Sequence, residues 1–273
     1  PWNYKVLYKK EGSKLDTTNL PKEAIKCFRR IENDIIVIEE NVIYKNAFLE
    51  LEADIVEKKY ILVEDNLAKT IIQKILVAEG LEGLLQVELC PGGASNIKKY
   101  TLLTYSKTGI DNRYIIFDGD QKKEDVPDFT SIPEADKTID LLKDIFKQVT
   151  GVGADKIDWG FDANRKAGRY DIEQQKHLLF LYLEFFKKNV FFLPKMIPED
   201  IIYSETRLKS ILGEDDFPDI SNEKDAKAKL KKLADSMGQE IEQIEYQLIY
   251  WFIKQKNSDY QTILDTLKKI IEV

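Results

Sequence analysis

The chain has 273 residues, 43% hydrophobic and 33% charged, with a formal net charge of -7. That is enough apolar material for one large domain or two small ones, and it excludes a disordered chain. The apolar runs are too short to span a bilayer. Two cysteines and one histidine exclude a disulfide framework, a zinc-finger pattern and a multi-histidine metal centre. The acidic balance leaves nucleic acid as a partner only through a local basic patch or metal ions.

Residues 1–58 read as a lead-in without recognisable chemistry. Residues 4–8 are strand-like, Gly12-Ser13 forms a turn, and Pro21 opens a helix expected through Arg30. Residues 35–38 are strand-like, and 47–56 read as a short helix.

Residues 59–124 carry βαβ repeats. The run Tyr60-Ile61-Leu62-Val63 is continuously apolar, as a parallel strand buried on both faces requires, and it ends in Glu64-Asp65. Helix 67–79 follows, with Leu67, Ile71, Ile72, Ile75 and Leu76 on one face and Gly80 as its stop. Strand 84–89 runs into Cys90-Pro91-Gly92-Gly93-Ala94-Ser95-Asn96, a loop suited to close backbone approach or to a helix start. Helix 96–106 leads to strand 113–117 and then Asp118-Gly119-Asp120.

Residues 125–188 read as a helical insertion between two sheet strands. Helices are expected at 135–149 and 172–188, with Gly151 and Gly153 after the first. Between them lie Arg165, Lys166 and Arg169, a cluster suited to tracking a DNA backbone. His177 and the aromatics around Phe185 read as structural. Strand 190–193 resumes the sheet, and a helix is expected over 198–211. Residues 216–273 are helical, with a lysine tract at Lys224, Lys227, Lys229, Lys231 and Lys232. An amphipathic stretch then runs from 241 to 273.

Three buried strands thus end in acids: Glu64-Asp65, Asp118-Gly119-Asp120, and Glu199-Asp200 after the third. In open α/β sheets, ligands bind at the carboxyl ends of the strands. Two aspartates flanking a glycine can turn toward one point, and hard divalent cations want such oxygen ligands. Two ions about 4 Å apart would clamp a phosphodiester displacement. Without a cation, so many acids would repel one another.

The stretches Ile61-Leu62-Val63-Glu64 and Ile115-Ile116-Phe117-Asp118-Gly119-Asp120 resemble the Toprim domain. Topoisomerases, bacterial primases, recombination-repair proteins and nucleases of the overcoming-lysogenization-defect (OLD) family share that fold. The Pro91-Gly92-Gly93 loop, the helical insertion and Leu193-Pro194-Lys195 … Glu199 are similar to OLD-like members. The resemblance covers residues 59–215. It implies an α/β, Rossmann-like parallel sheet: first half 59–124, insertion 125–188, completion 189–215, then a helical C-terminal region 216–273. It implies DNA cleavage dependent on one or two Mg²⁺ or Mn²⁺ ions, with Glu64 as metal-site glutamate and general base. Asp118 and Asp120 would hold metal, and Glu199 a second ion. Lys224 or Lys227 would lie near the transition-state phosphate. OLD-like members often carry a second acid four residues after the first glutamate. Here that position is Ala68, and Asp65 is the candidate substitute.

In that family the nuclease follows an ATPase. This chain has no Gly-x-x-x-x-Gly-Lys-Ser/Thr loop and opens on Pro1. The resemblance therefore implies a C-terminal nuclease portion of a longer ATP-driven protein, with 1–58 as linker and ATP acting only through the missing part. It further implies anti-phage defence, a cytoplasmic location, and a homo-oligomer formed through the ATPase or the helical regions.

Two rivals arise from the same residues. Ile61-Leu62-Val63-Glu64-Asp65-Asn66 also resembles the opening of a response-regulator receiver domain, with Asp118 as phospho-acceptor and Lys195 as its lysine. The gap from Asp118 to Lys195 is long for that fold, and Asp120 has no role in it. The other rival is a non-enzymatic docking module presenting Trp251 and Phe252.

Overall fold

The computed structural model describes residues 26–31, 35–40, 59–90, 92–133, 137–160, 172–213 and 217–272. The chain divides into two compact units, Pro1–Glu57 and Lys58–Val273. In the first, β1 (Lys26–Ile31) pairs antiparallel with β2 (Ile35–Glu40), from Ile31 opposite Ile35 to Lys26 opposite Glu40. This corrects the expected helix through Arg30. The segment finds a strand partner immediately downstream, and cross-strand pairing overrides the weak local signal of one proline. The strand expected at 4–8 and the helix at 47–56 lie outside the described residues.

The second unit is built on a four-stranded, all-parallel sheet. Its strands are β3 (Lys59–Val63), β4 (Leu85–Leu89), β5 (Arg113–Phe117) and β6 (Val190–Phe192), in the order β4-β3-β5-β6. The α/β class expected from the sequence is what forms. The two central strands alternate between two cores. Ile61, Val63, Tyr114 and Ile116 enter one, and Leu62, Ile115 and Phe117 enter the other. Side chains of a strand point to opposite faces, so a strand covered on both sides must be apolar throughout.

Helix α1 (Asn66–Glu79) covers the first face. Its buried residues Leu67, Ala68, Ile71, Ile72, Ile75 and Leu76 recur at helical spacing. Each large one contributes roughly 1.5–3 kcal/mol of transfer free energy. Asp65 caps the N-terminus through an Oδ1 that accepts from the Ala68 amide at 2.7 Å, and Gly80 (φ 67°) ends the helix in the left-handed conformation. Helices α8 (Ala226–Met237), α9 (Ile241–Gln255) and α10 (Ser258–Glu272) complete this layer. The other face packs against α3 (Leu102–Thr108), α4 (Ile139–Thr150) and α5 (Ile172–Asn189). α4 and α5 lie between β5 and β6 in sequence.

Three boundaries differ from the sequence reading. The helix after β4 starts at Gly93 rather than 96, as α2 (Gly93–Asn96), and passes through a π-helical turn, Ile97–Thr101, into α3. The helix expected over 198–211 is two, α6 (Pro198–Ile202) and α7 (Glu205–Leu212). Ser204 restarts it by accepting from the Arg207 amide. The C-terminal stretch breaks at Lys256, the one described non-glycine residue with positive φ (46°), between α9 and α10. Among the described residues no helix is long and apolar enough to cross a membrane.

The crossovers after β3 and β4 run on opposite faces. From β3 the chain passes outward to β4 over the α1 side, and it returns past β3 to β5 over the α3 side. This reversal makes the carboxyl ends of β3 and β5 the switch point of the sheet, where open α/β sheets receive ligands. Glu64 follows the first of these strands and Asp118 the second.

Candidate functional site

Glu64 bridges the two strand ends. Its Oε1 accepts from the Asp118 amide at 3.3 Å, and its Oε2 accepts from the Ala94 amide at 3.1 Å. The glycine loop thereby acquires a definite role. Gly92 (φ 97°) turns the chain as the N-cap of α2, and the exposed first-turn amide of that helix is handed to Glu64. Burial raises the Glu64 pKa, the two amides oppose that, and Asp120 adds to it.

Asp118 is the most perturbed carboxyl of the group. Its Oδ1 is buried with no hydrogen-bond partner. Burial, then the charges of Asp65, Glu64, Asp120 and Glu199, push its pKa up to about 8. Four acids, from the ends of β3 and β5 and from α6, thus act electrostatically on this one carboxyl. Asp120 lies in the short 3₁₀ turn Gly119–Gln121, and its Oδ1 accepts from Gln121 Nε2 at 3.0 Å.

The glycine between the aspartates is required by space. Gly119 donates its amide to the Lys195 carbonyl at 2.9 Å, and Asp120 donates to the Met196 carbonyl at 3.2 Å. A Cβ on Gly119 would stand 2.3 Å from the Lys195 oxygen and 2.9 Å from that of Leu193. The turn after β5 is thus laced to the backbone after β6, which leads into Glu199.

Glu199, 4% exposed on α6, pairs with Lys227 Nζ of α8 at 3.3 Å. That contact raises the Lys227 pKa. Asp65, besides capping α1, acts electrostatically on both Asp118 and Lys227. Lys224 is 85% exposed and paired with its neighbour Asp225 at 3.6 Å, so of the two candidate lysines the structure brings Lys227 to the acids. Arg165, Lys166 and Arg169 lie outside the described residues. Lys195 turns its ammonium to Asp259 of α10, at 3.6 Å.

Two site residues were not anticipated. Glu245 of α9 is pushed up to about 7 by burial and by Glu199, Glu242 and Asp65, against Lys227. It lies on an amphipathic helix far along the chain, with no local motif to mark it. Lys98, in the π-helical turn, is 4% exposed, and its Nζ donates to Gln121 Oε1 at 2.9 Å. Burial lowers its pKa, while Glu64 and Asp120 pull it back up.

The donor set suits a hard divalent cation: every candidate ligand is a carboxylate oxygen, and the orphaned Asp118 Oδ1 is an acceptor without a donor. Among the described residues, no three acids, histidines or cysteines are close enough to form a ready-made cage. Each of the other acids instead holds a protein partner: amides for Glu64 and Asp65, Gln121 for Asp120, Lys227 for Glu199. Comparison with protein-family models, curated proteins and solved structures found no match.

Proposed function

We propose that this chain is a metal-dependent phosphodiesterase acting on DNA, an OLD-like Toprim nuclease. The observation that carries this reading is the placement of Glu64 and Asp118 at adjacent strand ends, joined through the Asp118 amide, with Asp118 Oδ1 buried and unpartnered. Like charges gathered this way raise one another's pKa and call for a cation. Asp118 and Asp120 would hold Mg²⁺ or Mn²⁺ beside Glu64, and Glu199 would serve a second ion. A bound ion would supply Lewis-acid stabilisation of the phosphoryl oxygens.

The chain's own residues do the rest. Glu64, fixed by two amides, is oriented to accept a proton from the attacking water. The turn of Gly119, locked against Lys195, keeps the two aspartates in register. Lys227, held by Glu199, supplies positive charge at the rim. Within this reading the chain is the nuclease portion of a cytoplasmic ATPase–nuclease that acts in anti-phage defence, and it assembles as a homo-oligomer.

The test is cleavage of supercoiled plasmid in Mn²⁺ or Mg²⁺, with Mn²⁺ binding measured by calorimetry, for wild type, Asp118→Asn and Glu64→Gln. Nicking or linearisation lost in both variants together with Mn²⁺ binding supports the reading. A wild-type chain that binds no Mn²⁺ and cuts nothing refutes it.

A further inference from the structure

Lys98, which belongs to no motif that marks the strand ends, acts electrostatically on Glu64 and Asp120. Lysine is almost never fully buried unless paired. Here the side chain is 4% exposed, and no carboxylate lies within ion-pair distance of it among the described residues. Its ammonium has three N–H donors. One goes to Gln121 Oε1, and the Phe117 ring lies 5.4 Å away. Glu64 and Asp120 act on it from the acid side, and Lys123 from the side of like charge.

The backbone around Lys98 is unusually constrained. It sits in a single π-helical turn between α2 and α3, a distortion found often at functional sites. The buried hydroxyl of Tyr182, from α5, donates to the Lys98 carbonyl at 2.8 Å. Gln121, which receives the ammonium, also donates to Asp120. Lys98 is therefore wired through one side chain to the Asp-Gly-Asp turn, and among the described residues its ammonium has N–H donors left over.

We propose that Lys98 is the inner phosphate-binding group of this site, donating to a non-bridging oxygen of the phosphodiester held against Glu64 and Asp120. The proposal rests on the nuclease reading and goes beyond it, because the lysine tract at 224–232 was the expected source of that charge. A fixed, water-excluded cation aimed at developing negative charge costs no reorganisation during reaction. Ionised donors to phosphate are also about twice as strong as neutral ones.

The test compares wild type with Lys98→Met, whose side chain fills much the same volume, and with Lys98→Arg. Three quantities are read: Mn²⁺ affinity by calorimetry, affinity for a fluorescent oligonucleotide in Ca²⁺, and kcat on plasmid in Mn²⁺. Lys98→Met is expected to lower kcat about 100-fold and to weaken oligonucleotide binding about tenfold. Mn²⁺ affinity should stay within about threefold or tighten, since a repelling cation has been removed. Lys98→Arg should recover part of both losses. If Lys98→Met does not fold, Lys98→Gln takes its place with the same expectations.

Cleavage and oligonucleotide binding within about threefold of wild type would overturn the proposal. So would a parallel loss of Mn²⁺ binding and thermal stability, the mark of a purely structural lysine. A wild-type chain that neither binds Mn²⁺ nor cuts DNA overturns the nuclease reading itself, which is a distinguishable result.

Discussion

Asp118→Asn should stabilise the metal-free protein while abolishing its metal binding. Folding moves this carboxyl from 3.8 to about 8, chiefly by burial and then by its acidic neighbours. At about 1.4 kcal/mol per pKa unit, the ceiling on that difference is about 6 kcal/mol. The group is only partly buried and water screens it, which brings the working figure to about 2–3 kcal/mol. Between pH 4 and 8 the folded chain keeps a proton that the unfolded chain releases. The group's contribution is complete below the unfolded pKa and is lost as pH rises through about 8. Asparagine has no proton to lose, so the melting temperature of the variant should exceed that of wild type by a margin that grows with pH. At about 2–4 °C per kcal/mol for a chain of this size, the gap reaches about 5–10 °C at pH 8 and nearly closes at pH 4.5. Circular-dichroism melts in EDTA across that range measure it. Mn²⁺ at about 1,000 times its Kd should reverse the order, since it adds about 4.1 kcal/mol to the wild type alone. A gap that is flat with pH, or a variant that melts below wild type at pH 8 in EDTA, would refute this reasoning.

Three further substitutions separate the site from its scaffold. Gly119→Ala forces a Cβ to within 2.3 Å of the Lys195 carbonyl; it should cost about 1–3 kcal/mol in urea unfolding and lower Mn²⁺ affinity at least about tenfold as the aspartates shift. Lys195→Ala removes an exposed ion pair with Asp259; stability should change by under about 1 kcal/mol and cleavage should be unaffected, whereas a large loss of activity would revive the receiver-like assignment. Glu79→Gln weakens the bonds that Glu79 Oε1 accepts from Lys256 and Tyr260, each at 2.6 Å; it should lower stability by about 1 kcal/mol, read by melting, and leave cleavage intact.

How far the sequence reveals this arrangement depends on where each signal resides. The strands β3 and β5 are legible because burial on both faces demands continuous apolar runs. Glu64, Asp118 and Asp120 are legible because they end those runs. The π-helical turn is not, since Ile97 to Thr101 reads like any other helical turn, and so Lys98 passes as a surface lysine. Glu245 was missed for a different reason. Its place beside Glu199 and Asp65 depends on how α9 packs against the first face of the sheet, and no local motif encodes that packing. Gly119 is legible in position, between two acids that must turn toward one point, but its second requirement, the absence of a Cβ against the Lys195 carbonyl, is not. The β1 hairpin was missed because pairing with a later segment overrode a local proline signal.

Glu64 shows why the choice of substitution matters at such a site. Its two oxygens accept amides from the start of α2 and from the end of β5, so it is a fastening of the fold as well as a candidate ligand. Glu64→Ala would strand both amides. Bonds to a charged acceptor contribute about 1.5–3 kcal/mol each, partly offset by relief of the carboxylate's own desolvation, so a net cost of about 2 kcal/mol is expected. Loss of cleavage in that variant would be ambiguous between unfolding and lost chemistry. Glu64→Gln keeps one carbonyl acceptor, so one amide stays satisfied and stability should remain within about 1 kcal/mol of wild type. It cannot take a proton from water, and it is a weaker oxygen ligand. If Glu64→Gln melts with wild type yet binds Mn²⁺ at least about tenfold more weakly and does not cut DNA, the residue acts through its charge. If it cuts at the wild-type rate, Glu64 is a fastening only, and the chemistry must rest on Asp118 and Asp120.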